Sequence, residues 1–442
     1  MKLKRYRFAV AALAGSALFG LTACGGGSSA GTGAGSASSA GSAASKTEIT
    51  LLVDNGEGSV KAANAEIAAF QKANPDITVK LSTRPGGGDG DNLVKTKLST
   101  GVMEDVFWYN SGSLLQALAP EKSLVDLTGD AAIKDVDPSF LPAVTQGGKV
   151  YGAPWGTAFG GGILYNKDVY SKLGLTVPKS WAEFEANSEK IKAAGIDPVI
   201  QTYKDTWTSQ LLVLGDFYNV SKANPNWATD YTANKVKYAT DAAALRGFEK
   251  LAEVKAKGWV NRSSGSMTFD QGMKYLAAGK GAQYPMLTTV ISNLPPADAA
   301  KIGFFGLPGD DAASSGATLW TPGGQYIPKT SKHIDAAKKF VAFVASPAGA
   351  EAFTSAVPPT GPYLIKGATL PVDALPVAKD MQAYIDAGNI SPALEFLSPV
   401  KGPALEQICV AVGSGQTSAK DGAAQYDADV TKQAKQLGLA GW

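Results

Sequence analysis

The first regular pattern in the body of the chain limits what the rest can become. Ile49 to Val53 is a continuous apolar-rich run, broken by Asp54-Asn55-Gly56-Glu57-Gly58. Val60, Ala63, Ile67 and Phe70 then recur at the spacing of one helix face. Asn74-Pro75 stops that helix, since proline disfavours helical backbone in the residue before it. Ile77, Val79 and Leu81 alternate with polar residues, the period of a strand. A strand, a helix and a second strand in this order pack as parallel neighbours, which commits the chain to an α/β sheet. A second helix is expected from about Asn92 to Ser99, and Val106 to Tyr109 reads as a third strand.

The later chain repeats the theme. Ile163 to Asn166 is an expected strand. Ser180 and Glu183 form a capping box, opening a helix that turns Trp181, Phe184 and Ile191 inward and ends near Gly195. Further helices are expected over Asp241–Lys257, with Leu245, Phe248 and Leu251 inward, and over Thr268–Ala278. Strands are expected at Gly281–Met286 and Gly324–Ile327. Ser331 should cap a last helix presenting Ile334, Ala337, Phe340 and Val344 on one face. No repeat of fixed period emerges, and the pattern predicts two α/β lobes.

Ahead of this body stands a different kind of sequence. Lys2, Lys4, Arg5 and Arg7 precede the apolar run Phe8 to Leu21, and Leu21-Thr22-Ala23-Cys24 closes it. A basic end, a short apolar core and small residues are the plan of a secretory signal. The run is shorter than the roughly 20 apolar residues that cross a bilayer. The last four residues resemble the lipobox of bacterial lipoproteins, which implies cleavage after residue 23 and acylation of Cys24. From Gly25 to Ser45 every residue is Gly, Ala or Ser except Thr32, so residues 24–45 are expected to form a flexible tether. The expected location is the extracytoplasmic face of a bacterial cell membrane, held by the lipid alone.

Formal charge is +2, and the leader contributes four basic residues, leaving about 2 − 4 = −2 for the rest. That balance argues against a nucleic-acid partner. With Cys24 acylated, Cys409 has no internal disulfide partner, and its place in Ile408-Cys409-Val410 reads as core. The single histidine, His333, sits beside Lys332 at an expected helix start, which suits neither a Ser–His–Asp relay nor a histidine-rich metal site. No catalytic residue, metal or cofactor is expected.

Several stretches resemble the family 1 extracellular solute-binding proteins, the maltose-binding-protein-like components of ABC importers. The clearest is Gly148-Lys149-Val150-Tyr151-Gly152-Ala153-Pro154 leading to Leu164-Tyr165-Asn166-Lys167-Asp168. Val177 to Phe184, Asp105 to Trp108, Phe269 to Gly279, and Gly323-Gly324 with Ser331 to Phe343 follow the family's order. Gln283-Tyr284-Pro285-Met286 departs from the family's usual small-Met pair. The resemblance implies a type II, two-lobed periplasmic-binding-protein-like fold with ligand in a cleft and hinge closure. Residues 46–156 plus about 320–355 would form one lobe, and 157–319 plus about 356–442 the other. It also implies a monomer that captures a mono- or oligosaccharide and delivers it to permease subunits of an ABC transporter.

A sugar needs aromatic rings for its C–H faces, and carboxylates, amides and backbone groups for its hydroxyls. Candidates at strand ends and crossings are Asn55, Glu57, Trp108, Asn110, Trp155, Phe159, Asp205, Trp207, Trp320, Gly323 and Gln325. Plainer readings stand beside them. Trp108 fits a buried strand, Trp207 a helix start, Asp205 a solvated loop, and Asn55 with Glu57 a turn. Phe159 lies where maltose-binding relatives carry a carboxylate, a departure that leaves their exact substrate open. Replacing Trp155 or Trp320 by alanine is expected to weaken binding by about 1 kcal/mol or more with the fold intact. The competing functions are a binder of a polyamine or glycerol phosphate ester, a secreted carbohydrate-active enzyme, and a sensing lipoprotein that transports nothing.

Overall fold

The computed structural model describes residues 46–442; the expected signal, the Cys24 lipid site and the Gly/Ala/Ser tether lie outside the described residues. The opening unit forms as its spacing predicts. Strand β1 (Thr47–Asp54), helix α1 (Glu57–Ala73) and strand β2 (Ile77–Arg84) follow in order, and β1 pairs β2 in parallel from Thr47↔Ile77 to Asp54↔Arg84. Helix α1 buries Ala62, Ala63, Ile67 and Phe70, and Glu66 lies in the same stripe. Helix α2 (Gly87–Thr100) begins earlier than expected, within the glycine-rich turn after β2.

Strand β3 (Val106–Tyr109) joins β1 in parallel. A small hairpin, β4 (Thr145–Gln146) with β5 (Lys149–Val150), precedes β6 (Gly152–Pro154). The second sheet contains β7 (Phe159–Asn166), β8 (Asp197–Val199), β9 (Gly281–Leu287), β10 (Ile302–Gly306) and β11 (Ala317–Trp320). Strand β12 (Gly324–Tyr326) returns to the first sheet, and β13 (Ile390–Pro392) completes the second. The strand orders are β2-β1-β3-β12-β6 and β13-β11-β7-β9-β8, with β10 beside β7.

Each sheet has its own packed interior. Phe70, Phe107, Tyr109, Phe140, Tyr326 and Phe340 belong to the first, and Phe184, Trp227, Phe248, Trp259 and Tyr426 to the second. Burial of each such side chain contributes roughly 1.5–3 kcal/mol. Trp181, Trp259 and Cys409 are buried in the second interior, as the sequence suggests.

The chain passes between sheets from Pro154 to Phe159 and back from Trp320 to Gly324, and the two passages are tied where Trp155 N donates to Gly323 O at 3.0 Å. The helices Ile334–Val344 and Pro347–Ala356 cover the first lobe, with Phe70 edge-on to Phe340 at 5.1 Å. Beyond residue 355 the chain touches both lobes: Asp137 N donates to Leu364 O and Lys366 N to Asp135 O on the first, and the Thr288 hydroxyl donates to Thr360 O on the second. The helix Pro376–Asp386 then packs in the second lobe.

Ser331 does not cap the helix it precedes. That helix starts at Ile334 with no side-chain cap, and the Ser331 hydroxyl instead donates to Asp105 at 2.7 Å while accepting from His333 N. Among the described residues no helix is long and apolar enough to cross a membrane.

Candidate functional site

The lobes meet at the C-terminal ends of β1, β2 and β3, where open α/β sheets present their loops. At the end of β1 the Asp54 carboxylate accepts from Gly56 N at 2.8 Å and from the Ser59 hydroxyl at 2.7 Å, which fixes the entry to α1. Asn55 and Glu57 are exposed. Glu57 pairs with Lys61 one turn on at 2.6 Å, which holds its carboxyl below the usual range. No ring contact or side-chain hydrogen bond joins Asn55 or Glu57 to the aromatic groups of the site.

Strand β2 ends in Arg84, only 2% exposed. Its guanidinium lies 5.2 Å from the Trp108 ring and 5.7 Å from the Tyr109 ring, and donates to Pro85 O at 2.9 Å. The Arg84 Nε has no hydrogen-bond partner, and no carboxylate forms an ion pair with Arg84 among the described residues. Nearby Asp91, in α2, is pushed up by burial against the opposing pull of Arg84, Lys95 and Lys401.

Trp108 is half-buried on β3, opposite Gln325 in the antiparallel register with β12. Gly323 fits beneath it because a Cβ there would collide with the indole and stand 2.8 Å from Tyr109 O. Asn110 is half-buried, and its carbonyl accepts from the Tyr326 hydroxyl at 3.2 Å. Gln325 is 0% exposed, yet neither atom of its amide has a partner. Such a group carries a desolvation penalty unless a ligand or water satisfies it.

Trp155 lies deeper than its Pro and Gly neighbours suggest. It is 6% exposed, edge-on to Trp108 and Phe353 at 5.9 Å, and donates its indole N–H to Glu66 Oε2 at 2.5 Å. It is therefore part of the first lobe's interior, with one edge turned to Trp108.

On the second lobe Phe159 and Trp320 face each other across β7 and β11. Their rings are within 11° of parallel, with centroids 6.5 Å apart. Trp320 is 5% exposed and donates its indole N–H to Glu395. The glycines after Phe159 are explained by these rings. A Cβ on Gly161 would collide with the Trp320 indole, and one on Gly160 would stand 2.7 Å from the Phe304 ring. Gly161→Ala should therefore displace Trp320 and lower stability by about 1–3 kcal/mol, read by urea unfolding.

Trp207 is half-buried against Phe269 at 5.4 Å. Asp205, also half-buried, accepts from Phe269 N at 2.6 Å and so serves the start of the helix Phe269–Ala277. Contacts between the lobes include three at the loops of the first sheet. Gly58 N donates to Asn293 Oδ1 at 3.2 Å, a Cβ on Gly87 would stand 3.5 Å from Trp207, and one on Gly112 would stand 2.5 Å from Glu395 O.

The structure thus gathers Trp108, Trp155, Gly323 and Gln325 on one side and Phe159 with Trp320 on the other, and leaves Asn55 and Glu57 at the rim. Arg84, Asp91, Asn293, Glu395 and Lys401 are absent from the sequence-based candidates. Arg84 was signalled by a cation closing the alternating strand Ile77–Leu81. Glu395 and Lys401 carry no such mark, since their place depends on how the late chain returns to the second lobe.

Two α/β lobes joined by short crossings, with rings and unpaired polar groups where they meet, define a hinged solute-binding protein. The chain belongs to the bacterial extracellular solute-binding proteins, whose family model matches residues 54–351. It is 25% identical over 287 residues to the multiple sugar-binding protein of Streptococcus mutans serotype c, a match spanning 63% of this chain and 66% of that one. Among solved structures it resembles a chitin oligosaccharide binding protein, with TM-score 0.75 and 18% identity over 88% of this chain and 100% of the other. It also resembles RafE in complex with raffinose, with TM-score 0.72 and 22% identity over 89% and 100%. At these identities the structural likeness concerns the fold.

Proposed function

We propose that this chain is the receptor of an ABC importer, capturing a mono- or oligosaccharide between its lobes and presenting it to membrane permease subunits, without turning it over. The observation that carries this reading is the Gln325 amide, fully buried and unpartnered opposite Trp108 in the first sheet, just after the chain crosses from the second. An amide donor and acceptor next to an aromatic face is what a sugar ring, apolar on its faces and hydroxylated at its rim, requires. The sugar-binding names of the relatives support the same class. The sequence of residues 1–45 supports export and a lipid on Cys24, which would keep a monomeric receptor near its permease.

A thermal-shift panel of raffinose, chitin oligosaccharide, maltose, spermidine and glycerol 3-phosphate tests the reading. A sugar present at 1,000 times its Kd would stabilise the protein by about 4 kcal/mol. The expected result is a rise in Tm with at least one sugar and none with spermidine or glycerol 3-phosphate. A response confined to either of those two would replace the sugar with that solute.

A further inference from the structure

The segment Ala393–Lys401 belongs to the second lobe at both ends. Ala393 N donates to Leu319 O at 2.8 Å, beside Trp320, and Val400 is buried in the second interior. Between these points lies Glu395. Its carboxylate accepts the Trp320 indole N–H and lies 3.8 Å from Lys401 Nζ, with both partners of the ion pair mostly buried. Trp320 belongs to no apolar cluster of either lobe, and the glycine beneath its ring gives it no shoulder to rest on. Glu395 is the only hydrogen-bond acceptor the indole has among the described residues.

The same segment abuts the other lobe. Gly112, after β3, has φ of +70° and ψ of −140°, a conformation open to glycine. A Cβ there would stand 2.5 Å from Glu395 O and 2.8 Å from the Phe396 ring. The group that orients Trp320 therefore sits on backbone that the first lobe presses against only when the lobes are together.

We propose that Glu395 is a positioning residue: it holds the Trp320 indole beside Phe159 and makes that orientation depend on first-lobe contact at Gly112. The ligand wall would then be set as the lobes close. This rests on the reading of Trp320 as part of the solute site.

The test uses the full chain labelled with 5-fluorotryptophan and read by fluorine NMR without solute, the Trp320 signal being assigned with Trp320→Phe. Glu395→Ala should displace that signal. Glu395→Gln, whose amide oxygen still accepts the indole N–H, should leave it near its original position. Gly112→Ala, in the opposite lobe, should also move it. Gly148→Ala should not, although Gly148 has a comparable φ of +76° and open space around it. If Gly112→Ala does not fold, Phe396→Ala, which removes the ring that faces Gly112, takes its place with the same expected displacement. A Trp320 signal unmoved in Glu395→Ala, moved equally by Ala and Gln at 395, or unmoved by both Gly112→Ala and Phe396→Ala overturns the proposal. No solute is added, so the outcome is independent of the sugar assignment, whose own failure appears as a thermal-shift panel silent for sugars.

Discussion

Trp155→Ala is expected to destabilise the protein by about 3–5 kcal/mol, the range for truncating a large buried aromatic side chain. Its ring fills a space between Trp108 and Phe353 in the first interior, so truncation leaves a cavity that the crossing strands are not free to collapse. It also strips Glu66 of its indole donor, leaving a buried carboxyl without that bond. Urea unfolding of the variant should show a lower midpoint, and any loss of solute affinity would follow from the damaged lobe. The sequence alone suggested the opposite, a binding defect with the fold intact. A Trp155→Ala variant as stable as the wild type would show that the ring is not part of the interior.

The second large effect is a dependence of stability on pH that one residue should dominate. Burial pushes the Glu66 carboxyl up to about 8, only partly offset by the Trp155 N–H, which lowers it. The folded protein therefore keeps a proton that the unfolded chain, with its ordinary value of 4.5, releases. The sign follows directly. The stability associated with Glu66 is fully present below about pH 4.5. It falls by ~1.4 kcal/mol per unit as pH rises, and levels off above about 8, for a total on the order of 5 kcal/mol. Glu66→Gln cannot titrate, and its amide oxygen can still accept the indole N–H. Unfolding free energies of the two proteins should diverge from pH 5 to about pH 8 and run parallel from there to pH 9, with the variant the more stable at the alkaline end. Parallel curves would mean that Glu66 is hydrated or paired in the folded state.

These two residues also show how far the sequence could be read. The strand–helix–strand opening, the Ser180–Glu183 helix start and the helix Ile334–Val344 follow from spacing, because each is decided by neighbours within a few turns. Ser180 indeed accepts from Glu183 N, although the Glu183 carboxylate reaches Lys179 N and not the cap residue's own N–H. Glu66 was visible in principle: it shares the face of Ala62, Ala63 and Phe70, and a carboxylate in an apolar stripe marks a buried acid.

Trp155 misled for a physical reason. Proline and glycine beside a tryptophan suggest an open loop, but Trp155 is tied to Gly323 across the hinge and covered by Phe353, which is nearly two hundred residues away in sequence. Glu395 and Lys401 were invisible because no local period encodes a late strand rejoining β11. Asp205 is half-buried in a turn, and its carboxylate is engaged with the Phe269 N–H, a partner sixty-four residues away that no local pattern marks.

The central claim, that a sugar is held between the lobes against Trp320, is tested most directly by calorimetric titration of the wild type and Trp320→Ala with the panel sugar that gives the largest thermal shift. Trp320 is 5% exposed, so the variant should unfold at a lower midpoint, and the titration is run at a temperature where both proteins are fully folded. The account predicts saturable one-to-one binding by the wild type and a Kd at least tenfold higher for Trp320→Ala, about 1.4 kcal/mol. Equal Kd values for the two folded proteins, or no heat of binding with any sugar, would contradict it.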